Sequence, residues 1–139
     1  MARLGVGLVT GENNLDYRPY GHELILDLHG CDASTFNRES IGEFFSLLCE
    51  KIEMTACELY FWDDVGVPTE EQQTAPHAKG TSAVQFILTS SIVIHTLDLL
   101  DAVYMNIFSC KEFDTDAATK FAVEWFHAED HRSHFIERL

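Results

Sequence analysis

Between residues 81 and 109 three strand-like segments follow in quick succession, 81–88, 91–97 and 102–109, parted by only a few residues each. Connections this short join antiparallel neighbours, because a parallel crossover takes a dozen or more residues. In the third segment Val103, Met105 and Ile107 alternate against Tyr104, Asn106 and Phe108, as in a strand with two unlike faces. Any compact fold of this chain is built around that meander.

The flanking segments supply its partners. Residues 21–28 place Leu24, Leu26 and Leu28 on one side and Glu23, Ile25 and Asp27 on the other, and the turn Gly30-Cys31-Asp32 ends the strand. Ile41, Phe44, Phe45, Leu48 and Ile52 then repeat at helical spacing, opposite Glu43, Glu50 and Lys51. Residues 57–62 (CELYFW) read as an aromatic-rich strand, and the polar stretch 63–79, with two prolines, reads as a loop. A second helix starts near Asp114 and Asp116, carries Ala118, Phe121, Ala122, Trp125 and Phe126 on one stripe, and runs toward His127.

This order predicts an α+β fold, a two-layer α/β sandwich with a mainly antiparallel sheet and two helices on one face. With 139 residues, 46% of them apolar, the chain suits a single domain over 1–139, with 1–20 as an N-terminal extension. Two helices cover one sheet face only. Leu24, Phe86, Tyr104 and Phe108 cannot all lie beneath them, so a homodimer contact or a ligand is expected over the other face.

Charge and cysteine usage narrow the function classes. Twenty-three acidic residues against nine basic ones give a net charge of −14, which repels phosphate backbones and anionic lipid headgroups. Neither nucleic acid nor membrane is an expected partner. The apolar runs, such as 92–94 and 99–100, fall far short of the roughly 20 residues that cross a bilayer. Residues 1–10 show no cleavable leader pattern, so the expected location is cytoplasmic. Cys31, Cys49, Cys57 and Cys110 form no CxxC pair, which argues for free thiols and against a zinc ribbon.

One region gathers hydroxyl, imidazole and thiol groups onto neighbouring strands: Gly80-Thr81-Ser82, then Ser90-Ser91-Ile92-Val93-Ile94-His95-Thr96, then Cys110. Taken alone, these residues fit either turn serines and a hydrogen-bonded histidine or a convergence of nucleophile, base and acid. Their spacing resembles that of the prokaryotic S-adenosylmethionine decarboxylases, a pyruvoyl-dependent family. The likeness runs from about Gly21 to Phe126. It includes Gly30-Cys31-Asp32, Gly80-Thr81-Ser82-Ala83-Val84, Ile94-His95-Thr96 and Ile107-Phe108-Ser109-Cys110.

The resemblance implies a self-made cofactor. The Ser90 hydroxyl would attack the Thr89 carbonyl, and the chain would separate between residues 89 and 90 to leave a pyruvoyl group derived from Ser90. Ser82 and His95 match the residues that assist this processing. The pyruvoyl ketone would form a Schiff base with the substrate amine, and Cys110 matches the proton donor of the decarboxylation. A thiol with an unperturbed pKa of about 8.5 can donate near neutrality. The implied enzyme is a homodimeric carboxy-lyase that supplies aminopropyl groups for spermidine synthesis.

Several positions depart from the family pattern. Thr89 stands where Glu is usual and Ser91 where His is usual, Asn106 replaces an Asp, and the 63–79 loop is long. After His95-Thr96 the family's aromatic-Pro-Glu reads Leu97-Asp98-Leu99, so Asp98 becomes the candidate contact for the substrate ribose. Ornithine or arginine as substrate, or an unprocessed regulatory homologue, are the alternative readings. His127, His131 and His134, at i, i+4 and i+7, read as a solvated helix end before a metal site, and no metal is expected. Asp63, Asp64, Glu70 and Glu71 read as soluble loop, Asp32 as a turn cap, and Asp27 as a possible amine contact.

Overall fold

The computed structural model describes residues 18–139. Most of the expected N-terminal extension lies outside the described residues. Six strands and two helices follow in the order β1 (Gly21–His29), α1 (Arg38–Lys51), β2 (Ala56–Trp62), β3 (Gly80–Ile87), β4 (Ser90–Leu97), β5 (Ala102–Ser109), α2 (Thr115–Phe126) and β6 (Asp130–Arg138). They form one sheet in the order β2-β3-β4-β5-β1-β6. Every neighbouring pair is antiparallel. The expected α+β sandwich is what the chain forms, with the meander at its centre.

Both helices lie on one sheet face, over the aliphatic side of β1, β4 and β5. Leu24, Leu26 and Leu28 of β1, Ile92 and Ile94 of β4, and Val103, Met105 and Ile107 of β5 form the floor of the core. Ile41, Phe44, Phe45 and Leu48 of α1 and Ala118, Ala122 and Phe126 of α2 close over it. Phe44 sits among rings of both helices, 5.6 Å from Phe121 and 4.9 Å from Phe126 between centroids. Each helix starts on a side-chain cap: Asn37 accepts from the Ser40 N–H and Asp114 from the Ala117 N–H, both at 2.9 Å. α2 stops where His127 turns into the left-handed region, φ +54°.

One expectation is corrected. The segment after α2 is a strand, β6, and not a helix end. It pairs with β1 so that His131 faces Leu28 and His134 faces Ile25, on opposite sides of the sheet, and the three histidines share no edge. Leu24 is buried under the helices while Phe86 and Tyr104 are exposed on the other face, so these residues do not all lie beneath the helices, as expected. On a regular strand Ser90 and His95 point to opposite faces, and β4 pairs with no register shift that would bring them together; among the described strand pairs the register irregularity lies in β2 between Ala56 and Leu59.

The opposite sheet face is open. Tyr60, Trp62, Phe86 and Tyr104 project from it at 61%, 56%, 45% and 38% exposure, beside the half-buried Ile25, Val84, Val93 and Phe108. Among the described residues, no helix is long and apolar enough to cross a membrane.

Candidate active site

The site begins with a turn. Ile87 of β3 pairs with Ser90 of β4, so the hairpin between them is made of Leu88 and Thr89 alone. A two-residue connection needs a positive φ somewhere, and here Thr89 supplies it at +54°. Glycine or asparagine is the ordinary occupant of that region; a β-branched residue is strained in it. Ser90 follows with its side chain on the helix side of the sheet, in step with Ile92 and Ile94, and is 8% exposed.

Cys110, the residue after β5, straddles this turn. Its N–H donates to Ser90 Oγ at 2.9 Å, and its thiol reaches the Leu88 carbonyl oxygen at 3.8 Å. One residue therefore holds both ends of the hairpin that contains the Thr89–Ser90 bond. Behind it Ser109 Oγ donates to the Lys111 carbonyl at 2.7 Å and accepts from the Lys111 N–H at 3.1 Å, which fixes how the chain leaves β5. Ser90 and Cys110 open into a cavity of about 230 Å³ walled by Met54, Thr55, Leu88 and Lys111.

Lys111 and the 53–55 segment were not legible as site residues. The Lys111 ammonium donates to the Glu53 carbonyl at 2.8 Å, tying the α1–β2 connection to the cavity rim. Adjacency to Cys110 was the only signal for Lys111. Nothing local marks Met54 or Thr55, because tertiary packing brings them there.

Ser82 and His95 stand elsewhere. They are direct cross-strand partners on β3 and β4, with Ser82 Oγ 2.7 Å from His95 Nδ1. Both point to the open face. His95 lies between two shallow depressions there, one shared with Ile25, Asp27 and Tyr104, the other with Tyr60, Trp62 and Val84. It lies five positions along the strand from Ser90, about 17 Å, and the sheet lies between the side chains. One protomer thus brings Ser90 to Cys110, and Ser82 to His95, but not one pair to the other.

Asp98 is at the far end of β4. Its N–H donates to the Lys79 carbonyl at 2.9 Å, and its carboxyl enters a cavity of about 300 Å³ with Arg38, Asp63, Asp64 and Lys79. Burial pushes its pKa up, with Asp64 adding to this and Lys79 opposing it. Asp63 in the same cavity is held below the usual carboxylate range, chiefly by hydrogen bonds from Arg38 at 2.7 and 2.8 Å. Asp32 caps a short 3₁₀ turn by accepting from the Ser34 N–H, as read from the sequence. Asp27 faces Tyr104 and Arg132 across the open side. Among the described residues no group of His, Cys, Asp and Glu could hold a metal ion.

The residues around Ser90 suit a ketone at that position. The Cys110 N–H is directed at residue 90, and the Cys110 thiol lines the same cavity as a proton source. The fold is two-layered, with a buried serine after a left-handed turn residue and a cysteine in hydrogen-bond reach on both sides of that turn. Residues 22–139 match the family model described as S-adenosylmethionine decarboxylase. The fold is similar to the crystal structure of the adenosylmethionine decarboxylase from Aquifex aeolicus VF5, with a TM-score of 0.69, 18% identity, and coverage of 88% of this chain and 92% of that one. No curated protein sequence matches the chain significantly. The chain belongs to the S-adenosylmethionine decarboxylase family. It is an enzyme of the pyruvoyl-dependent class, which generates its pyruvoyl group from its own chain and decarboxylates S-adenosylmethionine for polyamine biosynthesis.

Proposed function

We propose that this chain matures by cutting itself between Thr89 and Ser90, uses Cys110 as its proton donor, and acts as a homodimer in which each copy serves the other. The observation that carries the reading is the double clamp of Cys110 on Ser90 Oγ and on the Leu88 carbonyl. It holds the nucleophile and a proton source at one small cavity, beside the bond to be cut.

In the first stage Ser90 Oγ bonds to the Thr89 carbonyl carbon and the peptide bond gives way to an ester. The Cys110 N–H fixes Oγ, and the thiol beside Leu88 steadies the turn. Loss of the Cα proton of residue 90 then breaks the Cβ–Oγ bond and frees residues 1–89 with a C-terminal carboxylate, and water displaces the remaining nitrogen as ammonia to leave a ketone, which would supply the electron sink for loss of carbon dioxide. Cys110 returns a proton to the substrate carbon, and the apolar walls from Met54 and Leu88 restrict competing water.

Ser82 and His95 assist the cut as a hydrogen-bonded proton-transfer pair. Since the sheet separates them from Ser90 in their own protomer, they act on the Ser90 of a second copy. Any contact of Asp98 with bound substrate follows the same rule, because Asp98 lies at the other end of β4. Four free cysteines support a reducing, cytoplasmic setting.

Intact mass measurement tests the reading. The purified chain is expected as two pieces, 1–89 and 90–139, the second lacking a free amine, and Ser90→Ala as one folded, uncut chain. A wild-type chain that stays whole after prolonged incubation overturns the proposal.

A further inference from the structure

We infer that the left-handed backbone of Thr89 is a positioning device that drives the self-cutting step, a proposal that rests on the maturation reading above. Thr89 has φ +54°, and among the described residues it is the one β-branched residue of the four non-glycine residues with positive φ; Glu53, Asp101 and His127 are the others. For a branched side chain that conformation is a true outlier, and outliers of this kind persist only where the surroundings enforce them. Here the enforcement is visible. The Ile87–Ser90 pair closes the hairpin with two residues, and Cys110 holds it from both ends through Ser90 Oγ and the Leu88 carbonyl.

The chemistry of the step relieves this constraint. Ser90 Oγ bonds to the Thr89 carbonyl carbon, the Thr89–Ser90 C–N bond breaks, and the hydroxyl proton ends on the freed Ser90 nitrogen. Nothing else enters or leaves. Before the shift a single atom, the Ser90 nitrogen, links the Thr89 carbonyl carbon to the Ser90 Cα. After it, two atoms link them, Oγ and Cβ. The turn is longer by one atom, it has lost a planar amide, and Ser90 no longer contributes an amide N–H to the β3–β4 pairing. Thr89 is then free to return to negative φ, so its strain is present in the reactant and falls away in the ester.

Strain of this size in a left-handed residue accelerates the shift by roughly tenfold if most of it is released by the transition state. Thr89 is exposed, so the effect belongs to its backbone and not to packing. Glycine at 89 adopts the same φ without strain, whereas valine keeps the branch and loses only the hydroxyl.

The test follows the first-order rate of cutting in freshly refolded wild type, Thr89→Gly and Thr89→Val, and the melting temperature of Ser90→Ala with and without Thr89→Gly. Slower cutting by roughly tenfold in Thr89→Gly is expected, with the fast cut kept in Thr89→Val. The uncut Ser90→Ala, Thr89→Gly chain is expected to melt higher by about 2 °C, whereas a merely structural role for Thr89 would lower it. Thr89→Gly cutting as fast as wild type overturns the inference while leaving the maturation reading intact, and so does a slow Thr89→Val, which would assign the effect to the hydroxyl. A wild-type chain that never cuts overturns both.

Discussion

Cys110 is asked to do two separable things, and substitution separates them. Its backbone N–H holds Ser90 Oγ whatever the side chain is, so Cys110→Ser should still cut itself. Turnover needs an acid, and a serine hydroxyl is a far weaker one than a thiol. Carbon dioxide release per mole of cut chain is therefore expected to fall by about a hundredfold or more. Full turnover in the cut variant would assign the proton to another group. Two other cysteines make a prediction about pH. Burial pushes Cys31 and Cys49 up to about 11, with Asp101 adding to the first and Cys57 to the second. A folded pKa above the unfolded one means that the native state holds its protons longer. Stability is then full below about pH 9 and declines as pH rises toward 11. Urea midpoints of uncut Ser90→Ala should drop across that window, and less so with Cys31→Ala added. A flat profile would refute the assignment.

At the scale of elements the helix stripe makes the sharpest claim. Phe44 is fully buried and touches rings from both helices, so Phe44→Ala opens a cavity that neither helix can fill by shifting alone. A loss of about 3–5 kcal/mol is expected in urea unfolding of the Ser90→Ala chain, and a loss below 1 kcal/mol would mean that the cluster collapses around the gap. That stripe was legible because Ile41, Phe44, Phe45 and Leu48 repeat at a period that only a helix satisfies. The strands β1 and β3 to β5 were legible for the equivalent reason, burial on one side only. β6 was not. It is an exposed edge strand held by backbone pairing to β1, so its side chains carry no alternation, and its charged residues discourage further strand pairing. Within the site, the spacing of Ser82, Ser90, His95 and Cys110 could be read, and so could the opposite parity of Ser90 and His95. What could not be read was that β4 stays straight, because a bulge leaves no mark in residue type alone. Lys111 and Met54 meet Ser90 only through the packing of the α1–β2 connection, which no local pattern encodes.

For the whole molecule, the unlike faces of the sheet bear on the proposed homodimer. The helix face carries Ser90 and Cys110 at one strand end, and the open face carries Ser82 and His95 among Tyr60, Trp62 and Tyr104. A net charge of −14 opposes association, but screening over about 8 Å at physiological salt leaves contact between apolar surfaces to dominate. Sedimentation equilibrium at micromolar concentration in moderate salt should therefore give a dimer. The division of labour between copies has a stricter test. A His95→Ala chain keeps its own Ser90, and a Ser90→Ala chain keeps its own His95, so each alone should remain uncut. Produced together, they form mixed dimers in which the intact His95 of one copy meets the intact Ser90 of the other. The His95→Ala chain should then be cut and the Ser90→Ala chain should not, which intact mass resolves once the two are given different tags. If mixed dimers form and neither chain is cut, His95 does not act between copies. Cutting would then depend on groups within one protomer, of which the Cys110 clamp across Leu88 and Ser90 is the nearest.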